Sequence, residues 1–230
     1  MKNLVVLTGA GMSAESGIST FRDSGGLWEQ HRIEDVATPE GWSRNSQLVL
    51  DFYNQRRKQL IDAQPNMGHL LLAEAEKNYD VHIVTQNVDN LHERAGSTKV
   101  LHLHGELMKV RSTGVGGEVY ELTKDKCEIN MGDKCPKGFQ LRPHIVWFGE
   151  AVPEIENAVN IVSRSDILVV IGTSLQVYPA AGLLNYAPAN IPVYYIDPQP
   201  AFGISKSVRA IQKGASEGVA ELIELLKNEK

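Results

Sequence analysis

The chain has 230 residues, 42% of them hydrophobic and 22% charged, with a formal net charge of -5 and an isoelectric point near 5.8. This composition suits one large globular domain, with or without a smaller insertion, and excludes a fibrous or disordered chain. Mild acidity, with no basic run longer than Arg56-Arg57-Lys58, leaves no electrostatic footprint for nucleic acid.

No apolar stretch approaches the length of a membrane helix, and two cysteines are too few for a disulfide framework. A cytoplasmic protein with reduced thiols is expected, with no membrane or nucleic-acid partner. The start "MKNLVVLTGA" has an apolar run only from Leu4 to Leu7 before glycines that a turn requires, so it reads as a first strand and not as a signal peptide.

In chain order, four apolar runs end in polar or glycine punctuation: "LVVLTGAG", "VHIVTQNVD", "DILVVIGTS" and "VYYIDPQP". They read as buried parallel strands whose carboxyl ends carry the chemistry. Helical patterns lie in "NMGHLLLAEAEKN" before the second run and in "GVAELIELLKN" at the end. The alternation predicts an α/β fold with a Rossmann-like, doubly wound parallel sheet. Two segments interrupt it: about 19–64, with a polar loop "RDSGGLWEQHR" and a helix "SQLVLDFYNQRRKQLI", and about 106–141, where "STGVGGEVYEL" reads as a hairpin. Together they predict a smaller inserted domain made of two segments.

Gly9, Gly11 and Ala14 form G-x-G-x-x-A after the first strand, a turn in which glycines let backbone N–H groups approach a pyrophosphate. An ordinary nicotinamide fold continues with a helix and then a strand ending in an acidic residue. "SGISTFRDSGGLWEQHR" does neither, so any dinucleotide is held differently. Gln86, Asn87 and Asp89 follow the second strand, His104 precedes a glycine in "LHLHGEL", and Gly172, Thr173 and Ser174 offer a second phosphate cradle. His104 reads either as a structural histidine or, with His102 two residues before it on one strand face, as half of a metal pair.

The motifs "GAGMSAESGISTFR", "TQNVDNLHERAG", "LHGEL", "RPHIVWFGE" and "GTSLQVYPAAGL", in that order, span Gly9 to Leu183 and resemble the sirtuins, the NAD-dependent protein-lysine deacylases. The resemblance implies a large domain over about 1–35, 70–105 and 142–230 and a small one over about 36–69 and 106–141. It implies NAD as cofactor and acylated lysine side chains of proteins or peptides as partners. In the implied reaction the acyl oxygen attacks C1′ of the nicotinamide ribose, nicotinamide leaves, and lysine and an O-acyl-ADP-ribose are released. His104 is the implied base, with Asn87 and Asp89 ordering the ribose and gripping the carboxamide. Gly9, Ala10, Gly11, Ser13, Gln86, Gly172, Thr173, Ser174 and Ala215 are the further implied cofactor contacts, and Phe21 and Arg22 the loop over the reactive carbon. Asp197 stands where sirtuins usually have Asn; a carboxylate accepts ribose hydroxyls and repels a 2′-phosphate, which favours NAD over NADP.

A substrate strand is implied between "VWFGE" and "SLQVYP", with the acyl-lysine passing Val146, Phe148 and Val177. Tyr53 and Arg56 lie three apart on one helix face and resemble the Tyr-x-x-Arg of sirtuins that remove succinyl, malonyl or glutaryl groups, and Ala37 matches a small residue that widens that pocket. A solvated basic patch is the competing reading, since Arg57 and Lys58 follow. Most sirtuins bind zinc through four cysteines, whereas Cys127 and Cys135 are the only two here, so no metal is expected. NAD hydrolysis or ADP-ribosyl transfer, and a non-catalytic NAD or ADP-ribose module, are the rival functions.

Overall fold

The computed structural model describes residues 1–18, 31–199 and 208–227, and the backbone of 27–28 and 228. Phe21 and Arg22 lie outside the described residues. In chain order the first strand β1 (Asn3–Thr8) leads to a short antiparallel pair, β2 (Leu27–Trp28) and β3 (His31–Arg32). Helices α1 (Ile33–Val36), α2 (Pro39–Arg44), α3 (Ser46–Asp62) and α4 (Met67–Ala75) follow. Next come β4 (Asp80–Thr85), α5 (Leu91–Ala95), β5 (Val100–His102), β6 (Gly105–Ser112), β7 (Val119–Glu121) and β8 (Leu141–Ile145). The last part holds α6 (Ile155–Val162), β9 (Ile167–Ile171), a 3-10 helix Ala180–Tyr186, β10 (Val193–Ile196), β11 (Val208–Ile211) and α7 (Ala215–Asn228).

The six-stranded sheet has the order β11-β10-β9-β1-β4-β5, and every pairing in it is parallel. From β1 the chain winds one way through β4 to β5, then returns on the other side of β1 through β9, β10 and β11. The order therefore reverses between β1 and β9, and a crevice opens beyond their carboxyl ends. Both faces are covered, which is why β1 is apolar at successive positions. Leu4 and Val6 join one core with Leu72 of α4 and Val219 and Leu222 of α7. Val5 and Leu7 join the other with Ala158 and Val162 of α6 and Leu183.

Two polar contacts tie helix starts to the glycine turn. The Asn66 carboxamide oxygen accepts the Gly68 and His69 N–H groups at the start of α4, while its nitrogen donates to Met12 O at 2.8 Å. Glu15 accepts the Ser216 N–H at 3.1 Å, a carboxylate at the start of α7.

The second sheet is antiparallel, ordered β7-β6-β8, and contains the expected hairpin. Helix α3 packs on it through Val49, Phe52, Tyr53 and Leu60, which meet Leu107, Ile145 and Trp147. The Asn54 side chain brackets one peptide, donating to Ile129 O and accepting from Ile129 N, each at 2.9 Å. The solvated basic patch is not what α3 builds. Arg57 is fully buried, donating to Leu107 O at 2.7 Å and to the Asn54 side chain at 2.7 Å, and burial pulls its pKa down to about 10. Lys58 is exposed and pairs with Glu128. Among the described residues no helix is long and apolar enough to cross a membrane.

Candidate functional site

The segments singled out in the sequence follow carboxyl ends of the parallel strands: 9–13 after β1, 86–89 after β4, 104 after β5, 172–174 after β9, Asp197 after β10 and Ala215 shortly after β11. A Cβ at Gly9 would lie 2.7 Å from the Thr173 Cβ, one at Gly11 2.6 Å from the Gly172 Cα, and one at Gly172 2.4 Å from the Met12 nitrogen. Gly172 also has φ +62°, in the left-handed region. Glycine is thus required for the two backbone loops to stack, and the stacking brings the 9–13 and 172–174 segments together beyond the ends of β1 and β9.

The N–H groups of Gly9 and Gly11 are used differently from the sequence expectation. They donate to Ile171 O at 3.0 Å and Gly172 O at 2.8 Å, joining the two loops. No helix follows the turn; two 3-10 turns, Ala10–Met12 and Ala14–Ser16, take its place. Asp197 is buried and accepts the Gln199 N–H at 2.9 Å, and Ala215 is buried at the first position of α7.

Asn87 is held on three sides. Its N–H donates to Thr85 Oγ1 at 3.0 Å, and its carboxamide donates to Gly9 O and Ser13 Oγ, each at 3.1 Å. Asp89 is 4% exposed and accepts from Ser13 Oγ at 2.9 Å and Leu91 N at 3.1 Å. Burial raises its pKa, and those hydrogen bonds work against the rise. Gln86 crosses the crevice to Thr173 Oγ1 at 3.1 Å. Ser174 lies half-buried beside it.

His102 ends β5, and His104 sits in the turn beyond it, so the two do not share a strand face. Nδ1 of His104 lies 3.1 Å from Gln86 O, and a carbonyl only accepts, so Nδ1 carries the proton and Nε2 keeps its lone pair. Burial lowers the His104 pKa against the opposing hydrogen bond to Gln86, which leaves a neutral imidazole at pH 7. Gly105 must be glycine here: its φ is +81°, and a Cβ would stand 2.0 Å from His144 O.

A Sir2 family model matches residues 9–179 of the chain. The chain belongs to the Sir2 family. It is 62% identical over 230 residues to a Bacteroides thetaiotaomicron protein named NAD-dependent protein deacylase, covering 98% of each. A Sir2 homologue solved in complex with NAD is 38% identical with a TM-score of 0.88, covering 99% of this chain and 90% of that one. The structure of Sir2Tm bound to a propionylated peptide is 27% identical with a TM-score of 0.80, covering 97% of this chain and 93% of that one.

In this Sir2 fold, Val146, Trp147 and Phe148 run from β8 past the crevice. Val146 N donates to His104 O at 2.9 Å and Phe148 N to Ala37 O at 3.0 Å. Phe148 and Val177 are exposed, at 50% and 39%. Tyr53 and Arg56 are buried, and the Arg56 guanidinium lies 5.7 Å from the Phe52 ring centre. Burial pushes the Tyr53 phenol up to about 12, opposed by a hydrogen bond from Trp147 and the field of Arg56.

The structure adds contacts that the motif containing these residues did not specify. The Trp147 indole N–H donates to Tyr53 Oη at 3.1 Å, and the Arg142 guanidinium lies 3.6 Å above the Trp147 ring. Arg142 makes a paired contact with Glu150 at 2.8 and 3.0 Å. Only the "RPHIVWFGE" stretch as a whole was legible; a stacked cation and a buried indole contact depend on tertiary geometry.

A four-thiolate structural zinc site does not fit the residues present. Cys127 and Cys135 are the chain's two cysteines, and the Cys135 sulfur accepts from Ser112 Oγ at 3.3 Å. A thiolate tetrad needs two more ligands of the same kind.

Proposed function

We propose that the protein removes acyl groups from lysine side chains of proteins or peptides at the expense of NAD, favouring succinyl, malonyl and glutaryl over acetyl, and releasing nicotinamide and O-acyl-ADP-ribose. The observation that carries this reading is the convergence of the glycine cradle, Asn87, Asp89 and His104 beyond the β1/β9 reversal of a Sir2-family sheet. NAD, when held there, would supply the ribose carbon that accepts the acyl oxygen and the nicotinamide that leaves from it. Ala10, Thr173 and Ser174 would hold the phosphates, while Gly9, Gly11 and Gly172, whose N–H groups are bonded within the chain, let the two loops pack close enough to present them, with Asp197 and Ala215 towards the adenosine end. Asn87, Asp89 and Ser13, already bonded to one another, receive the nicotinamide ribose without reorganisation. His104 takes a hydroxyl proton at Nε2, the nitrogen left bare by its bond to Gln86.

The N–H groups of Val146, Trp147 and Phe148 are bonded within the chain, so on this reading a substrate strand beside them is met by carbonyl oxygens. Tyr53 and Arg56, buried on α3 near Ala37, favour an acyl chain that ends in a carboxylate. The division into large and small domains, a zinc-free small domain and a cytoplasmic location belong to the same proposal.

The test is a panel of succinyl-, malonyl-, glutaryl- and acetyl-peptides with NAD, read by mass spectrometry, on the protein and on Arg56→Met. A charged hydrogen bond contributes about 1.5–3 kcal/mol. Desuccinylation in Arg56→Met should therefore fall about 10- to 150-fold, at about 1.4 kcal/mol per decade, with deacetylation far less affected. Equal losses for both acyl groups remove the acidic-acyl assignment, and turnover without NAD removes the whole reading.

A further inference from the structure

His102 is 7% exposed at its side chain and makes two contacts. Nδ1 lies 3.0 Å from Asn87 O, and Nε2 lies 2.8 Å from a Glu93 carboxylate oxygen. A carbonyl and a carboxylate both accept, so both contacts are donated only when the ring carries two protons. Asn87 is the second residue of the loop after β4 and Glu93 lies in α5 after it, so one ring fastens both ends of the 87–93 segment, which contains Asp89. With Thr85 holding the Asn87 N–H and His102 its carbonyl, the peptide groups on either side of the Asn87 side chain are both fixed. We propose that His102 is a positioning residue for NAD turnover, acting through the Asn87 carbonyl and Glu93 to hold the Asn87–Asp89 segment in place. The proposal rests on the reading of Asn87 as part of the NAD site.

A pH signature follows. Burial disfavours the charged ring, but the bond and field of Glu93 and the field of Glu106 on β6 outweigh it, and the His102 pKa is raised. The other ionisable groups around it are Asp89, which feels its charge, His92 on α5, which is pushed further down by it, Lys109, which pairs with Glu106 at 2.7 Å, and Arg94, Glu121 and Lys124, which line the same cavity. His104, by contrast, is lowered. Turnover rises as pH climbs through the His104 titration, because the base must be unprotonated. It falls as pH climbs through the His102 titration, because a neutral imidazole keeps one N–H and loses one of the two contacts. The acid limb belongs to His104 and the alkaline limb to His102.

The experiment measures kcat/KM for NAD against pH, at saturating acyl-peptide, for the unaltered protein, Glu93→Gln, His102→Gln and Asn87→Ala. Glu93→Gln should move the alkaline limb to lower pH and leave the acid limb in place. His102→Gln should abolish the alkaline limb and lower neutral-pH kcat/KM about 10-fold, which is about 1.4 kcal/mol. In the unaltered protein, the imidazole signal of His102 followed by NMR should titrate together with the alkaline limb, which decides the matter even if a variant fails to fold. An alkaline limb unmoved in Glu93→Gln, or a His102 titration away from that limb, overturns the proposal. If Asn87→Ala keeps full NAD turnover, the reading of the site itself fails. If Asn87→Ala loses turnover while the Glu93→Gln profile matches the unaltered protein, only the role of His102 falls.

Discussion

Replacing Trp147 by Phe tests whether the indole–phenol bond supports the middle of α3. The indole N–H reaches Tyr53 Oη at 3.1 Å, and the two side chains are 2% and 0% exposed. Phe keeps an aromatic face beneath Arg142, which stays anchored by Glu150 and by Ile145 O at 2.9 Å. Two costs remain: about 1–2 kcal/mol for the smaller ring in a packed core, and about 1–2 kcal/mol for a buried phenol oxygen that loses its indole donor. The expected loss is about 2–4 kcal/mol, or roughly 5–15 °C in Tm for a chain of this size. Volume and hydrogen bond are separated by a double-mutant cycle with Tyr53→Phe, read by urea unfolding. Each single variant loses the indole–phenol bond and the double loses it only once, so the double should cost about 1 kcal/mol less than the sum of the singles. Losses that add to within about 0.5 kcal/mol would refute the bond and leave packing as the whole effect.

Replacing His104 by Ala should lower turnover about 10²- to 10⁴-fold, the usual worth of a positioned general base, as measured by nicotinamide release. Gly11→Ala should weaken NAD binding at least about 10-fold by calorimetry, because the added Cβ meets the Gly172 backbone at 2.6 Å, which cannot give as a flexible side chain would. His69 and His92, buried with ring centres 4.7 Å apart, should make the fold acid-sensitive. Burial lowers the pKa of His69 to about 4 and that of His92 well below its ordinary value. Below the unfolded value near 6.5 the unfolded chain takes up more protons. Stability is therefore full above that pH and drops as pH falls from 6.5 towards 4, the His69 share being about 3 kcal/mol, checked by urea midpoints across that window.

The apolar runs of β1, β4, β9 and β10 were legible because both faces of each are covered, and a strand buried on both sides needs apolar residues without alternation. β5 and β11 were not read. They sit at the two sheet edges, and their three and four residues include His102 and Arg209, so neither shows the run that marks a central strand. Glycines and polar residues at strand ends were legible because a turn in close contact with another backbone tolerates nothing larger. The use of the Gly9 and Gly11 N–H groups was not legible. Which acceptor an amide meets depends on the loop opposite, and that loop comes more than 150 residues later. The burial of Arg57 was hidden for a similar reason: the carbonyl of Leu107 that neutralises its cost lies in the other inserted segment.

The same few contacts link the proposed acyl floor, the proposed substrate strand and the proposed base. Val146 N bonds to the carbonyl of His104, and Trp147, the next residue, bonds to Tyr53 and carries Arg142 on its ring. Glu150 closes the loop by accepting from both Arg142 and the Trp147 N–H, the latter at 2.8 Å. A shift of this strand therefore changes the surroundings of His104 and Tyr53 together, since neither contact has slack at about 3 Å. On the proposed reading, acyl selectivity and proton transfer share one frame. A substitution in the frame, such as Glu150→Gln, should disturb both, whereas one at the acyl floor, such as Arg56→Met, should change the choice of acyl group and spare the chemistry on acetyl-lysine.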